Sequence, residues 1–185
     1  MMRPSILRYA ASLVLLVGLG GACGERSMST SAAHETPATS LLSPLFGDSS
    51  TPALIECVAP DSTATATALI GPLGGVLSAG GVSVIIPQNA IVGDAVSFTL
   101  SVPSSKYVEL EVGPDGGGHY LFALPVTVSI DYGRCGSTYD ATTLSAWNID
   151  PATKALLERM IGVDNKLTHT LTFVTPHFSG YAVAD

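Results

Sequence analysis

Two stretches, Val96-Ser97-Phe98-Thr99-Leu100-Ser101-Val102 and Val126-Thr127-Val128-Ser129-Ile130-Asp131, decide the fold class of this chain. In both, apolar and polar residues alternate one for one. A strand sends successive side chains to opposite faces, so a period of two buries Val96, Phe98, Leu100 and Val102 together and leaves Ser97, Thr99 and Ser101 wet.

Outward from these stretches, runs rich in Val, Ile, Thr, Tyr and Phe recur from residue 53 to the end, separated by Gly, Pro, Asn or Asp. They predict further strands at 68–70, 76–78, 82–86, 107–112, 120–124, 144–149, 155–161, 168–174 and 178–184. Between 144–149 and 155–161 stands Asp150-Pro151-Ala152-Thr153-Lys154, with Asp first and Pro second as a type I turn prefers, so these two runs form a hairpin. Residues 155–160 alone suit a helix, and six residues are too few to hold one. Many short strands at regular spacing imply an all-β, antiparallel β-sandwich over 53–185.

The preceding region has a different character. Residues 24–52 are mostly Ser, Thr, Ala, Gly and Pro, a composition that builds no core and is expected to act as a flexible tether over 23–52. Before it, Arg3 and Arg8 form a short basic region followed by an apolar run from Ala11 to Ala22, the pattern of an export signal over 1–22. Twelve apolar residues fall short of the roughly 20 that span a bilayer.

The run ends Leu19-Gly20-Gly21-Ala22-Cys23-Gly24, which resembles the lipobox of bacterial lipoproteins. That resemblance implies lipidation of Cys23 as the first mature residue. The match departs at Gly20, where the family has Leu. The alternative is a secretory peptide cut near Ala22 with an incidental cysteine. Because Gly24 rather than Asp follows Cys23, the resemblance also implies passage to the outer membrane or cell surface. The expected partners are thus the membrane, through the anchor, and an unidentified protein or glycan of the cell envelope.

With Cys23 acylated in an oxidising compartment, Cys57 and Cys135 are left as a pair, for which a disulfide is the expectation and two free thiols the alternative. Neither sits in a CxxC or His-containing neighbourhood, so no zinc site is expected. The formal net charge is −7, with only 8 Lys and Arg, and no basic stripe exists to neutralise a phosphate backbone, which argues against nucleic acid.

A second resemblance covers part of the predicted sandwich. Gly71-Pro72-Leu73-Gly74-Gly75, then Gly80-Gly81, then Val82-Ser83-Val84-Ile85-Ile86-Pro87-Gln88-Asn89-Ala90-Ile91, is similar to the opening of the ZU5 domain, the β-sandwich module of ankyrins and netrin receptors. That family usually has Gly where Asn89 stands; Asn also tolerates positive φ. The resemblance resumes near the end at His177-Phe178-Ser179, a segment at which some ZU5 domains cut themselves. It implies cleavage between Phe178 and Ser179, with the Ser179 hydroxyl attacking and His177 as base. The alternative is an ordinary last strand in which Phe178 and Tyr181 pack and His177 is solvated.

Other candidates are thin. His34, His119, His169 and His177 show no metal-ligand spacing. His169 shares strand parity with Leu171 and Phe173 and is expected at the edge of a half-buried face. Asp115 within Gly113-Pro114-Asp115-Gly116-Gly117-Gly118-His119 is a single carboxylate, too few for calcium, and the stretch is expected to be a hairpin loop. Glu109 and Glu111 are expected on a solvated strand face. No nucleophile elbow, Walker loop or dinucleotide fingerprint is present. No cofactor is expected, and the leading expectation is a non-enzymatic binding or structural module.

Overall fold

The computed structural model describes residues 51–185. The expected leader, the lipidation candidate Cys23, His34 and the tether up to residue 50 lie outside the described residues. In chain order the strands are β1 (Ala64–Ile70), β2 (Gly75–Ala79), β3 (Val82–Ile86), β4 (Val96–Val102), β5 (Glu109–Pro114), β6 (Leu121–Asp131), β7 (Ser145–Ile149), β8 (Leu156–Arg159), β9 (Gly162–Asn165), β10 (Thr170–His177) and β11 (Gly180–Ala184). A 3₁₀ segment, Gly133–Tyr139, separates β6 from β7.

These strands form two sheets, one ordered β1-β4-β5-β11-β7-β8 and the other β2-β3-β6-β10-β9. The pairings are antiparallel, and the fold is the all-β sandwich that the alternation predicted. The core lies between the sheets: Phe98, Leu100 and Leu110 from one, and Val84, Val126 and Val128 from the other, are wholly buried. Truncating any one of the large ones, such as Leu100→Ala, removes packing worth about 2–5 kcal/mol.

Local chemistry explains the turns. Gly80 and Gly81 both have positive φ, 53° and 81°, in the two-residue turn joining β2 to β3, a conformation that L-residues avoid. A Cβ on Gly74 would lie 2.3 Å from the Ile86 carbonyl oxygen, so only glycine fits there. Asn89 takes φ 67°, the left-handed conformation expected of it, and its N–H donates to the Pro72 carbonyl. Asp150 caps its turn through Oδ1, which accepts from the N–H groups of Ala152 and Thr153 at 2.8 and 2.9 Å. Those bonds hold the Asp150 carboxyl below the usual carboxylate range.

Three departures from expectation have clear causes. The runs 120–124 and 126–130 are not separate strands but parts of one, β6. Pro125, which has no N–H, lies beyond the last β3 pairing at Thr127 and inside a register shift opposite β10, where no ladder bond is lost. Residues Gly162–Asn165 form a strand, β9, that their polarity concealed. The glycine-rich stretch 115–119 is not a hairpin loop, because β5 and β6 belong to different sheets and it carries the chain between them.

The start of the described chain is stitched down tightly. Ile55, buried among core residues, donates its N–H to the Val183 carbonyl, and Cys57 donates to that of Lys106. Cys57 and Cys135 form the expected disulfide, with Cα atoms 4.8 Å apart. Beside it the Arg134 guanidinium donates to three backbone carbonyls, those of Val58, Ser105 and Tyr107. The β4–β5 connection, the 3₁₀ segment and the entering chain are thereby fastened at one point.

Candidate functional site

The chain makes its last change of sheet at His177-Phe178-Ser179-Gly180. β10 ends at His177 in the five-stranded sheet, and β11 begins at Gly180 in the six-stranded one. Phe178 has no exposed surface and fills the gap between the sheets, edge-to-face against Phe98 and Phe122 at 5.2 and 4.6 Å between ring centroids. Its N–H donates to the Tyr120 carbonyl, while the Ser179 carbonyl accepts from Val112. The crossing peptide is therefore held by backbone bonds on both sides and by an aromatic plug.

This corner corrects the picture of one continuous strand over 178–184. In a single strand His177 and Ser179 would share a face; here a change of sheet intervenes. Tyr181 directs its hydroxyl to the His177 carbonyl at 2.6 Å and lies 3.4 Å from the His177 Nδ1. Among the described residues no hydrogen bond joins the Ser179 hydroxyl to either His177 or His119. Phe178 and Tyr181 are packed and His177 is half-buried.

Ser179 instead borders a cleft of about 470 Å³ on the outer face of the six-stranded sheet. Strand register builds its floor: Ser101 pairs with Glu111, and Glu111 pairs with Gly180, in one row across β4, β5 and β11. Thr99 lies on the next row, opposite Gly113. Gly118 and His119 from the crossing loop and Pro151 from the β7–β8 turn form the rim. The lining thus combines three hydroxyls, one exposed carboxylate and one exposed imidazole over a glycine-floored sheet.

One wall of the cleft is rigid. Asp115 accepts hydrogen bonds from the hydroxyls of Ser97 and Thr99, which hold its carboxyl below the usual range, and Thr67 shares a 2.7 Å hydrogen bond with Thr99. Asp115 is consequently spent on ordering its own loop.

The remaining candidates fall elsewhere. Glu109 is not solvated: its side chain is 4% exposed and paired with Lys154 at 2.5 Å, because the β7–β8 turn folds over that face. Glu111, two residues on, stays exposed in the cleft. His169 has φ 49° in the turn before β10 and contacts Asp140 at 2.9 Å, so it is a turn residue and not a strand-edge one. Asp164, on β9, accepts from the Tyr132 hydroxyl and pairs with Lys166; the buried Tyr132 is raised well above the ordinary phenol range by desolvation and by that carboxylate. A second hollow, about 500 Å³, lies beside Trp147, whose Nε1 is buried without an acceptor among the described residues.

Sequence reasoning alone did not assemble the cleft. It put Thr99 and Ser101 on a wet face correctly, but parity does not say that β5 and β11 are the next strands along. Among the described residues no three His, Cys, Asp or Glu side chains gather as a metal site, and no helix is long and apolar enough to cross a membrane. No protein-family model matches the chain, and no curated protein matches it either.

Proposed function

We propose that this chain is an exported binding module, held to the cell envelope through a lipid on Cys23 and a tether over 23–52, and that its sandwich presents a non-enzymatic ligand site. The observation that carries the reading is the Thr99–Ser101–Glu111–His119–Ser179 cleft. It offers donors and acceptors on a preformed floor, while neither of its serines, Ser101 and Ser179, has a hydrogen-bonded base among the described residues. Hydroxyls and a single carboxylate on a shallow sheet face suit a neutral, hydroxyl-rich ligand such as an envelope glycan. The leader-like run, the lipobox resemblance and the disulfide all accord with life outside the cytoplasm.

Two measurements test this. Fractionation with mass spectrometry of the mature N-terminus is expected to find a diacylated Cys23 in the envelope; an intact leader on a cytosolic product refutes the address. A thermal-shift screen of the purified chain against envelope glycan fragments is expected to raise Tm for the native chain and not for Glu111→Gln with Ser101→Ala. Hydrolysis of a fragment, abolished by Ser179→Ala, refutes the non-enzymatic reading.

A further inference from the structure

The four sheet edges of this sandwich are not treated alike. β8 and β9 are four residues long and carry charge: Glu158 and Arg159 on β8, and Asp164 on β9. Short strands and charged residues are the ordinary means of keeping an edge from pairing with another chain. On the opposite side of the sandwich these means are absent. β1 is seven residues, Ala64-Thr65-Ala66-Thr67-Ala68-Leu69-Ile70, without a charge, a proline or a bulge, and it pairs with β4 in unbroken register. β2, the neighbouring edge of the other sheet, is Gly75-Val76-Leu77-Ser78-Ala79 and is likewise uncharged.

The outer edge of β1 is open. Among the described residues no backbone group of 64–70 bonds to anything but the β4 ladder, and Leu69 is 73% exposed. Alternate N–H and C=O groups on that side point outward, a template for one more strand.

We infer that β1 is a self-association edge and that its occupant is β1 of a second copy of this chain, paired antiparallel about a two-fold axis at Thr67. The strand's register admits a copy, and two features point to one. The strand is self-complementary: pairing about Thr67 sets Ala66 against Ala68, Thr65 against Leu69 and Ala64 against Ile70, so inward residues meet inward and outward meet outward. The chain is acidic, net −7, so two copies repel unless the joining surface is free of charge, and the β1–β2 side is the uncharged one. Finally, Thr67 already shares a hydroxyl hydrogen bond with Thr99, and the two-fold sets Thr67 beside its symmetry mate, extending a threonine ladder across both sheets. The result is one continuous sheet of twelve strands across two copies of a six-stranded one.

The test uses the full chain. Its sedimentation is expected to give a dimer that dissociates on dilution. Thr67→Lys, exposed and outward-facing, is expected to give a monomer with an unchanged circular dichroism spectrum. Thr67→Cys places two thiols about 5 Å apart between Cα atoms, within disulfide reach. It is expected to form a reducible covalent dimer on mild oxidation, whereas Val174→Cys on the far sheet forms none. A native chain that is monomeric at every concentration, with no Thr67→Cys cross-link, overturns the inference. So does a monomer whose Thr67→Cys cross-links in cells to a different protein, which assigns the edge to a partner's peptide strand.

Discussion

Tyr181 donates its buried hydroxyl to the carbonyl oxygen of His177 and thereby ties the first strand after the sheet crossing to the last residue before it, at 2.6 Å. Thr175 completes the knot: its Oγ1 lies 2.9 Å from the Tyr181 hydroxyl and accepts from the His177 N–H. A corner that carries the chain from one layer to the other leaves backbone groups outside both ladders, and a tyrosine hydroxyl on the incoming strand satisfies one of them. Removing that hydroxyl is expected to break its bonds to the His177 carbonyl and to the Thr175 hydroxyl, which then keep their bond to each other and the one from the His177 N–H. Tyr181→Phe should therefore cost roughly 1–3 kcal/mol in urea unfolding with secondary structure retained; an unchanged midpoint would show that the knot contributes nothing.

The same hydroxyl sets an alkaline limit. Desolvation pushes the Tyr181 phenol from 10.0 up to about 12, so the folded state holds a proton that the unfolded chain releases sooner. The stabilisation is complete below pH 10 and drains as the pH climbs toward 12, by roughly 2–3 kcal/mol. Tyr132, raised for the same reason, acts in the same direction. Stability measured against pH is expected to fall in this window for the native chain and less steeply for Tyr181→Phe. Identical slopes would assign the loss to other groups.

Glu109 and Lys154 supply a third prediction. The carboxylate is buried on a face that the β7–β8 turn covers, and the lysine is its partner. Lys154→Met should destabilise by about 3–5 kcal/mol, because it strands a buried charge. Glu109→Gln combined with Lys154→Met should recover most of that. A double variant as unstable as the single one would mean that the turn, and not the charge, matters.

For the disulfide, the chain-entropy account of a cross-link closing 78 residues predicts a loss of about 4–5 kcal/mol on replacing Cys57 and Cys135 by serine. Denaturation with and without reductant measures it. Because Arg134 and Ile55 also hold the entering segment, the variant is expected to remain folded. Loss of all cooperative unfolding would show that the bridge is indispensable.

Intact mass decides the fate of the corner peptide. Strand β11 lies wholly buried between β5 and β7, so even a cut at Phe178-Ser179 would leave the tail in place until denaturation. One uncut mass after denaturation, the same for Ser179→Ala, is the expected result. Loss of residues 179–185 from the native chain alone would establish self-cleavage.

What the residues disclose by themselves follows from local rules. Val96 to Val102 had to be a strand with one wet face, Asp150-Pro151 had to turn the chain, and Gly80-Gly81 had to reverse it, because each outcome depends on neighbours in sequence. The pairing of Cys57 with Cys135 was legible by elimination among three cysteines. Illegible were the facts that depend on which strand lies beside which. Glu109 and Glu111 have the same parity, yet one is buried under Lys154 and the other lines the cleft. His177 and Ser179 look like neighbours on one face and are separated by a change of sheet.

The sequence alone therefore determined the period of the strands, their turns and the all-β class, since side-chain alternation and backbone sterics act within a few residues. Only the tertiary structure decided where the chain crosses between layers, which polar groups meet in the cleft, and which edge stays open. Those are set by packing two sheets so that the large side chains of both fill one core, a condition that couples residues far apart in the chain.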